Sequence, residues 1–198
     1  MNREELLKNA KPILFNTEMV QAITEGRKTV TRRVVKLKNG YSLEGKGKEI
    51  TENINLFGDD IIFRNGEETN ETLKPQYKVG DILYVRETFK RKMDGYSGID
   101  FGGYLYKADY KTVFKDNYNP WKPSIHMPKE AARIFLKVTD VKVEKLQNMT
   151  QEDCIKEGCG GLSEEQFAEF WDSLNAKRGY GWKVNPWVWV VEFERVEE

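Results

Sequence analysis

Ala132-Arg133-Ile134-Phe135-Leu136-Lys137-Val138-Thr139-Asp140-Val141-Lys142-Val143-Glu144-Lys145-Leu146 is the stretch on which the fold turns. Ile134, Leu136 and Val138 recur at every second position, the period of a strand with one buried face, and Val141 and Val143 resume that period out of phase. The slip at Thr139-Asp140 predicts a bulge or bend, as barrel strands often need. A strand bent in its middle favours a curled sheet.

Outward from this strand, the chain reads as strands with a few short helices. Residues 11–15 form a short apolar strand, and Asn16-Thr17 caps a helix carrying Met19, Val20 and Ile23 to a stop at Gly26. Residues 29–35 are β-branched and extended, whereas 36–76 is polar, with Ile61-Ile62-Phe63 its one clear apolar run, and reads as an insertion with one hairpin. Val79-Gly80-Asp81 turns the chain into a strand over 82–89, too apolar at its start to lie at an edge, with residues 104–109 as its hairpin partner. A loop with Pro120, Pro123 and Pro128 follows. Thr150-Gln151-Glu152-Asp153 resembles a capping box before a short helix that ends at Gly158, and Ser163 with Gln166 repeats the device. The second helix sets Phe167, Phe170, Trp171 and Leu174 on one face, and Trp187, Trp189, Val191 and Phe193 alternate in a final strand. With no internal repeat and no long linker, the reading is a single α+β domain over 1–198 with a small barrel-like sheet.

Composition limits the function. The 198 residues hold 32 Lys+Arg and 32 Asp+Glu, so no global field would keep the protein on duplex DNA or an anionic membrane, and any nucleic-acid affinity must be local. The segment 26–43, with six basic residues and no acid, is the expected contact surface. No apolar run approaches the roughly 20 residues of a membrane span and the N-terminus does not resemble a signal peptide, so a cytoplasmic protein is expected. Two cysteines, Cys154 and Cys159, and a single histidine, His126, give no zinc or disulfide pattern; both thiols are expected reduced, with no metal and no cofactor.

Within the basic segment, Gly26-Arg27-Lys28-Thr29-Val30-Thr31-Arg32-Arg33 packs four cations and two threonine hydroxyls between a helix and a strand. Such a cluster attracts an anionic or nucleotide-like ligand, and a lysine crowded by arginines loses proton affinity and can serve as a base. The bland alternative is a solvated strand start whose charges keep an edge soluble.

The octet, Asn16-Thr17-Glu18-Met19, Gly80-Asp81-Ile82-Leu83-Tyr84-Val85-Arg86-Glu87-Thr88, Trp121-Lys122-Pro123-Ser124-Ile125-His126-Met127-Pro128, Arg133, Val138-Thr139-Asp140-Val141, Glu152-Asp153, Glu157-Gly158, Phe170-Trp171-Asp172-Ser173-Leu174-Asn175 and Asn185-Pro186-Trp187-Val188-Trp189-Val190-Val191-Glu192-Phe193 occur in an order that resembles the ASCH domain of the PUA-like superfamily, in its longer phage and prophage form. Segments 36–76 and 90–118 fall outside the resemblance and read as insertions. It implies a PUA-like β-barrel with a cleft flanked by short helices, and RNA or a modified nucleoside or nucleobase as partner. A small bacterial branch of the family hydrolyses N4-acetylcytidine with a Lys, a Thr and a Glu. Its motif is similar to residues 26–31, so Lys28 would be the base and Thr31 the nucleophile, while the family glutamate corresponds by position to Glu157, which would serve the leaving amine. Lys28 and Thr31 stand three apart, however, and would converge only if the helix-to-strand turn lay between them.

Arg27, Arg32 and Arg33 would supply the surrounding field. Trp121, Lys122, Ser124 and His126, with Arg86 and Glu87, form a second candidate ligand-binding group. Trp121 suits base stacking, His126 reads as a hydrogen-bonded structural histidine, and Arg86-Glu87 reads as an internal polar pair. Three function readings follow: recognition of RNA or a modified nucleoside, which asks least of the geometry; amidohydrolysis of an N4-acylated cytidine; and a ribonuclease, which a single histidine disfavours in its paired-histidine form.

Overall fold

The computed structural model describes residues 2–36, 74–94, 96–110 and 118–197, together with the backbone of strands at 55–57, 60–65 and 69–73. The chain opens with α1 (Arg3–Asn9), which Asn2 and Glu5 close in a reciprocal capping box. After β1 (Lys11–Leu14), α2 (Thr17–Thr24) begins where the Asn16 side chain accepts from the Met19 amide at 2.8 Å. At its end Gly26 takes a φ of +74°, a conformation that suits glycine, and the amides of Arg27 and Lys28 both turn back onto the Ala22 carbonyl at 2.8 and 3.0 Å. β2 (Val30–Val34) follows.

Among the described residues, the insertion expected to hold one hairpin shows two. β3 (Asn55–Phe57), β4 (Asp60–Asn65) and β5 (Thr69–Leu73) form a three-stranded antiparallel meander, with Ile61-Ile62-Phe63 in its middle strand. The side chains of residues 37–73 lie outside the described residues.

The strand expected over 82–89 breaks into β6 (Ile82–Arg86) and β7 (Phe89–Met93), and β8 (Asp100–Tyr106) pairs with β7 rather than with β6. The reason is that both edges of β6 are already taken. β1 runs parallel to it, Lys11 beside Leu83, and β9 (Phe135–Lys145) runs antiparallel on the other side, Leu83 beside Leu136. The chain closes with α3 (Gln151–Lys156), α4 (Glu164–Asn175) and β10 (Trp187–Val196); Thr150 and Ser163 make the two capping boxes that the sequence predicts. Strands hydrogen-bond in the order β1-β6-β9-β10-β2, which with the short helices makes the fold mixed α+β.

The chain divides into two compact units, one of Met1–Thr29, Gly80–Val138 and Phe193–Glu198, the other of Val30–Val79 and Thr139–Glu192. The phase slip at Thr139-Asp140 therefore falls where β9 passes from the first unit to the second. In the first unit Leu6, Tyr84, Phe89, Met127 and Phe135 build the core; in the second Val30, Leu146, Cys154, Phe167, Trp171, Val188 and Val190 do. Among the described residues no helix is long and apolar enough to cross a membrane. Cys154 and Cys159 are not joined in a disulfide.

Candidate functional site

The octet is not a solvated strand start. Lys28 is 2% exposed and its ammonium lies 5.5 Å from the centroid of the Phe15 ring, within the first unit; lysines are almost never buried this far unless paired. Arg27 is exposed and bonds Glu25 through its Nε at 2.7 Å. The turn at Glu25-Gly26 precedes Lys28 and does not lie between Lys28 and Thr31.

In the second unit β2 splits the remaining octet residues between its two faces. Val30, Arg32 and Val34 share one face; Val30 belongs to the core built with α3 and α4, and Val34 packs against that core. Arg32 is thereby carried to carboxylates of β9 (Glu144), of α3 (Asp153) and of the residue that ends α3 (Glu157), which enclose its guanidinium. Its NH1 donates to Glu157 Oε2 at 3.2 Å, its NH2 donates to Glu144 Oε1 at 3.0 Å and lies 3.4 Å from Asp153 Oδ1. Glu157, 5% exposed, also accepts from the backbone amide of Arg32 at 3.1 Å through Oε1. Among the described residues β2 ends the strand order, so this carboxylate caps an N–H that no further described strand pairs.

Burial alone would push the Arg32 guanidinium down, but the charge of Glu157, the hydrogen bond that Arg32 donates to Glu144 and the charges of Glu144 and Asp153 outweigh it and hold it above its ordinary value. Arg32 Nε remains the one buried side-chain nitrogen or oxygen among the described residues with no hydrogen-bond partner. Thr31, 2% exposed, pairs with Val191 of β10 and by alternation faces away from Arg32, as does Arg33. Burial holds the Arg33 guanidinium below its ordinary value, while Tyr77 and Glu157 pull it upward.

A second buried ion pair lies in the first unit. Glu87, 1% exposed, accepts a two-pronged bond from Arg133, Nε to Oε1 at 2.8 Å and NH2 to Oε2 at 3.0 Å. Arg133 NH1 reaches Asp109 at 2.8 Å, and its guanidinium lies 4.0 Å from the centroid of Tyr106, whose hydroxyl donates to the Ala131 carbonyl at 2.6 Å. Burial pushes the Glu87 carboxyl above its ordinary value, with Arg133 pulling it back. Arg86 and Glu87 are therefore not paired with each other: Arg86 instead donates to the carbonyls of Met127, at 3.1 Å, and Ile125. Arg133 and Asp109 carry no role in the sequence reading. The one available signal was a charged residue between Ala132 and Ile134 at the entry to an apolar strand.

The proline-rich loop lies beside β7 in the first unit. The backbones of Phe89 and Lys122 exchange hydrogen bonds at 3.1 and 2.7 Å, so the segment at 121–122 lines up beside β7. Trp121 is half-buried, with the Lys90 ammonium 5.0 Å from its ring centroid and the Tyr110 ring edge-on at 5.5 Å. Lys90 is itself held by the Asn119 carbonyl at 3.3 Å. Lys122 is exposed, Ser124 half-buried and His126 exposed, the last two on a 3-10 turn. The ring of His126 makes no hydrogen bond among the described residues, so it is a surface histidine, because the turn that carries it points its side chain outward while Met127 fills the core. No cluster of His, Cys, Asp and Glu that could hold a metal occurs among the described residues.

No family model and no curated protein match the chain. Among solved structures it is similar to a crystal structure of an ASCH domain from Lactobacillus crispatus JV V101, at 12% identity and a TM-score of 0.44, over 98% of this chain and 86% of that one. A likeness at this level leaves the site to be read from its own residues.

Proposed function

We propose that the protein recognises RNA or a modified nucleoside or nucleobase, as the ASCH-like stretches of its sequence imply. The observation that carries the reading is Trp121, a partly exposed indole flanked by Lys90 and Tyr110 with Lys122 exposed beside it. An aromatic ring in a cationic setting is what a nucleobase and its phosphate require, stacking from the one and charge from the other. The cations on this face are lysines, whereas Arg32 is enclosed by Glu144, Asp153 and Glu157 and serves the protein's own packing. Titrating a labelled single-stranded RNA at several salt concentrations tests the reading: Lys122→Ala should weaken binding and lower the slope of log K against log salt by about 1. An unchanged slope would count against Lys122 as a phosphate contact.

A second reading, amidohydrolysis of an N4-acylated cytidine, is favoured by one observation. Lys28, Thr31 and Glu157, the residues carried over by resemblance, are all buried although all are polar. The reading requires Lys28 to take the Thr31 proton as Thr31 Oγ attacks the acyl carbon, and that proton to pass through the Glu157 carboxylate to the leaving nitrogen as the amide C–N bond breaks, after which water releases the acid from Thr31. The backbone turn precedes Lys28 and does not by itself bring Lys28 and Thr31 together. Release of acetate from N4-acetylcytidine by the wild type but not by Lys28→Ala supports the reading. No turnover across a panel of acylated nucleosides removes it.

A further inference from the structure

We propose that the β7–β8 hairpin carries a bound strand beyond Trp121, so that the ligand is a single-stranded RNA several nucleotides long rather than a free nucleoside. This rests on the reading of Trp121 given above. The hairpin lies in the 90–118 segment, outside the stretches that resemble the ASCH family.

Register fixes which side chains share a face. Phe89 stands opposite Tyr106 and Arg91 opposite Tyr104, and Phe89, Tyr104 and Tyr106 all belong to the first unit's core or pack against it. The other face carries Lys90 opposite Leu105, with Trp121 against Lys90, so the Trp121 surface continues directly onto the ribbon. Beyond Arg91 the register shifts, and Lys92 and Met93 are exposed. At the tip Tyr96 is 92% exposed, Ile99 57% and Phe101 63%, more large apolar surface than a solvated turn needs.

The tip is held ready rather than loose. The Asp94 amide bonds the Ile99 carbonyl and the Gly98 amide bonds the Asp94 carbonyl, both at 2.9 Å. The Asp94 carboxylate accepts from the Tyr96 amide at 2.9 Å and the Ser97 hydroxyl at 2.8 Å. Asp100 is occupied in the same way, by the Gly102 amide at 2.8 Å and by Arg91 at 3.0 Å. Both acids of the ribbon are thus turned inward on its own backbone and on Arg91, while Lys92 is exposed and makes no ion pair among the described residues. The outward surface is a lysine-bearing ribbon with exposed rings at its end, complementary to a chain of phosphates and bases.

Length argues for a polymer. At about 3.3 Å per residue, Lys90 to Asp94 spans about 13 Å before the turn that presents Tyr96, farther than one nucleoside reaches. An apolar tip alone would also suit a membrane or a second copy of the chain. Lysines along the ribbon and the rings at both of its ends favour RNA over either.

The test compares ligands of two lengths on three proteins. Labelled oligouridine of about ten nucleotides and uridine dinucleotide are titrated against the wild type, the Tyr96→Ala/Phe101→Ala double variant and Trp121→Ala. Both tip residues are exposed, so the double variant should keep the wild-type fold, checked by circular dichroism. The expected result is a loss of about five-fold or more in affinity for the long strand in the tip variant, with dinucleotide binding unchanged, and a loss for both ligands in Trp121→Ala. If the tip variant binds the long strand like the wild type while Trp121→Ala does not, the hairpin proposal is overturned and the Trp121 reading stands. If the wild type binds neither ligand, both fail. Binding of the wild type, but not of the tip variant, to anionic vesicles, or self-association lost in the tip variant, assigns the tip to those partners and overturns the RNA proposal.

Discussion

Glu157 meets Arg32 twice, accepting from its backbone amide at 3.1 Å and from its guanidinium at 3.2 Å. One side chain at the end of α3 thus caps the outer edge of β2 and neutralises a cation buried behind it. Removing Arg32 takes away the cation that Glu157, Glu144 and Asp153 share.

Arg32→Met should accordingly be costly, because it leaves Glu144, Asp153 and Glu157 facing one another without the central cation. Breaking a buried ion pair from one side costs about 3–5 kcal/mol. Urea unfolding followed by tryptophan fluorescence measures it, and a loss below about 1 kcal/mol would show that the cluster is hydrated rather than closed.

Asp153 gives the same cluster a pH dependence. Burial works against its ionised form, but the amide and hydroxyl of Thr150 and the Arg32 guanidinium hold its carboxyl below the ordinary value of 3.8. A carboxyl lowered in the folded state contributes stability that is complete above its unfolded value and lost as pH falls through the folded one. Wild-type unfolding midpoints should fall as pH drops below about 4, and Asp153→Asn should flatten that part of the profile.

Glu87 runs the other way. Its carboxyl is raised by burial, so the unfolded state releases the proton first and stability is lost as pH climbs from the ordinary glutamate value toward the raised one. Arg133→Met removes the countercharge and should be most unstable at alkaline pH, recovering part of the loss near pH 5. The Glu87→Leu/Arg133→Met double variant should be more stable than Arg133→Met alone, since no charge is left stranded. Unfolding midpoints of the three proteins across pH decide it.

Gly26→Ala puts a Cβ on a residue at φ +74°, where it would meet no atom within 4 Å. The penalty is therefore conformational rather than steric against neighbours, about 1–2 kcal/mol. A lowered urea midpoint with an unchanged slope is the expected reading.

The features legible in the sequence were those decided locally. Asn16, Gly26, the Thr150 and Asp153 pair and the Ser163 and Gln166 pair each bond groups within a few residues, so caps and stops could be read directly. The slip at Thr139-Asp140 was legible because periodicity is local too. The neighbours of β6 were not, because β1 pairs with it across distant sequence and leaves no edge for the hairpin that local spacing suggested. Arg133 and Glu87 are 46 residues apart, and Arg32 and Glu144 are 112 apart. From the octet alone Arg32 reads as a surface cation for a ligand; only the fold brings three carboxylates to it.

The most direct test of the account is the affinity of the wild type and of Trp121→Ala for a labelled single-stranded RNA, measured across a salt series. The account predicts that log K falls linearly with log salt for the wild type, and that Trp121→Ala weakens binding by about 1–3 kcal/mol at each salt concentration. Binding that ignores salt, or a Trp121→Ala variant that binds RNA as the wild type does, would contradict it.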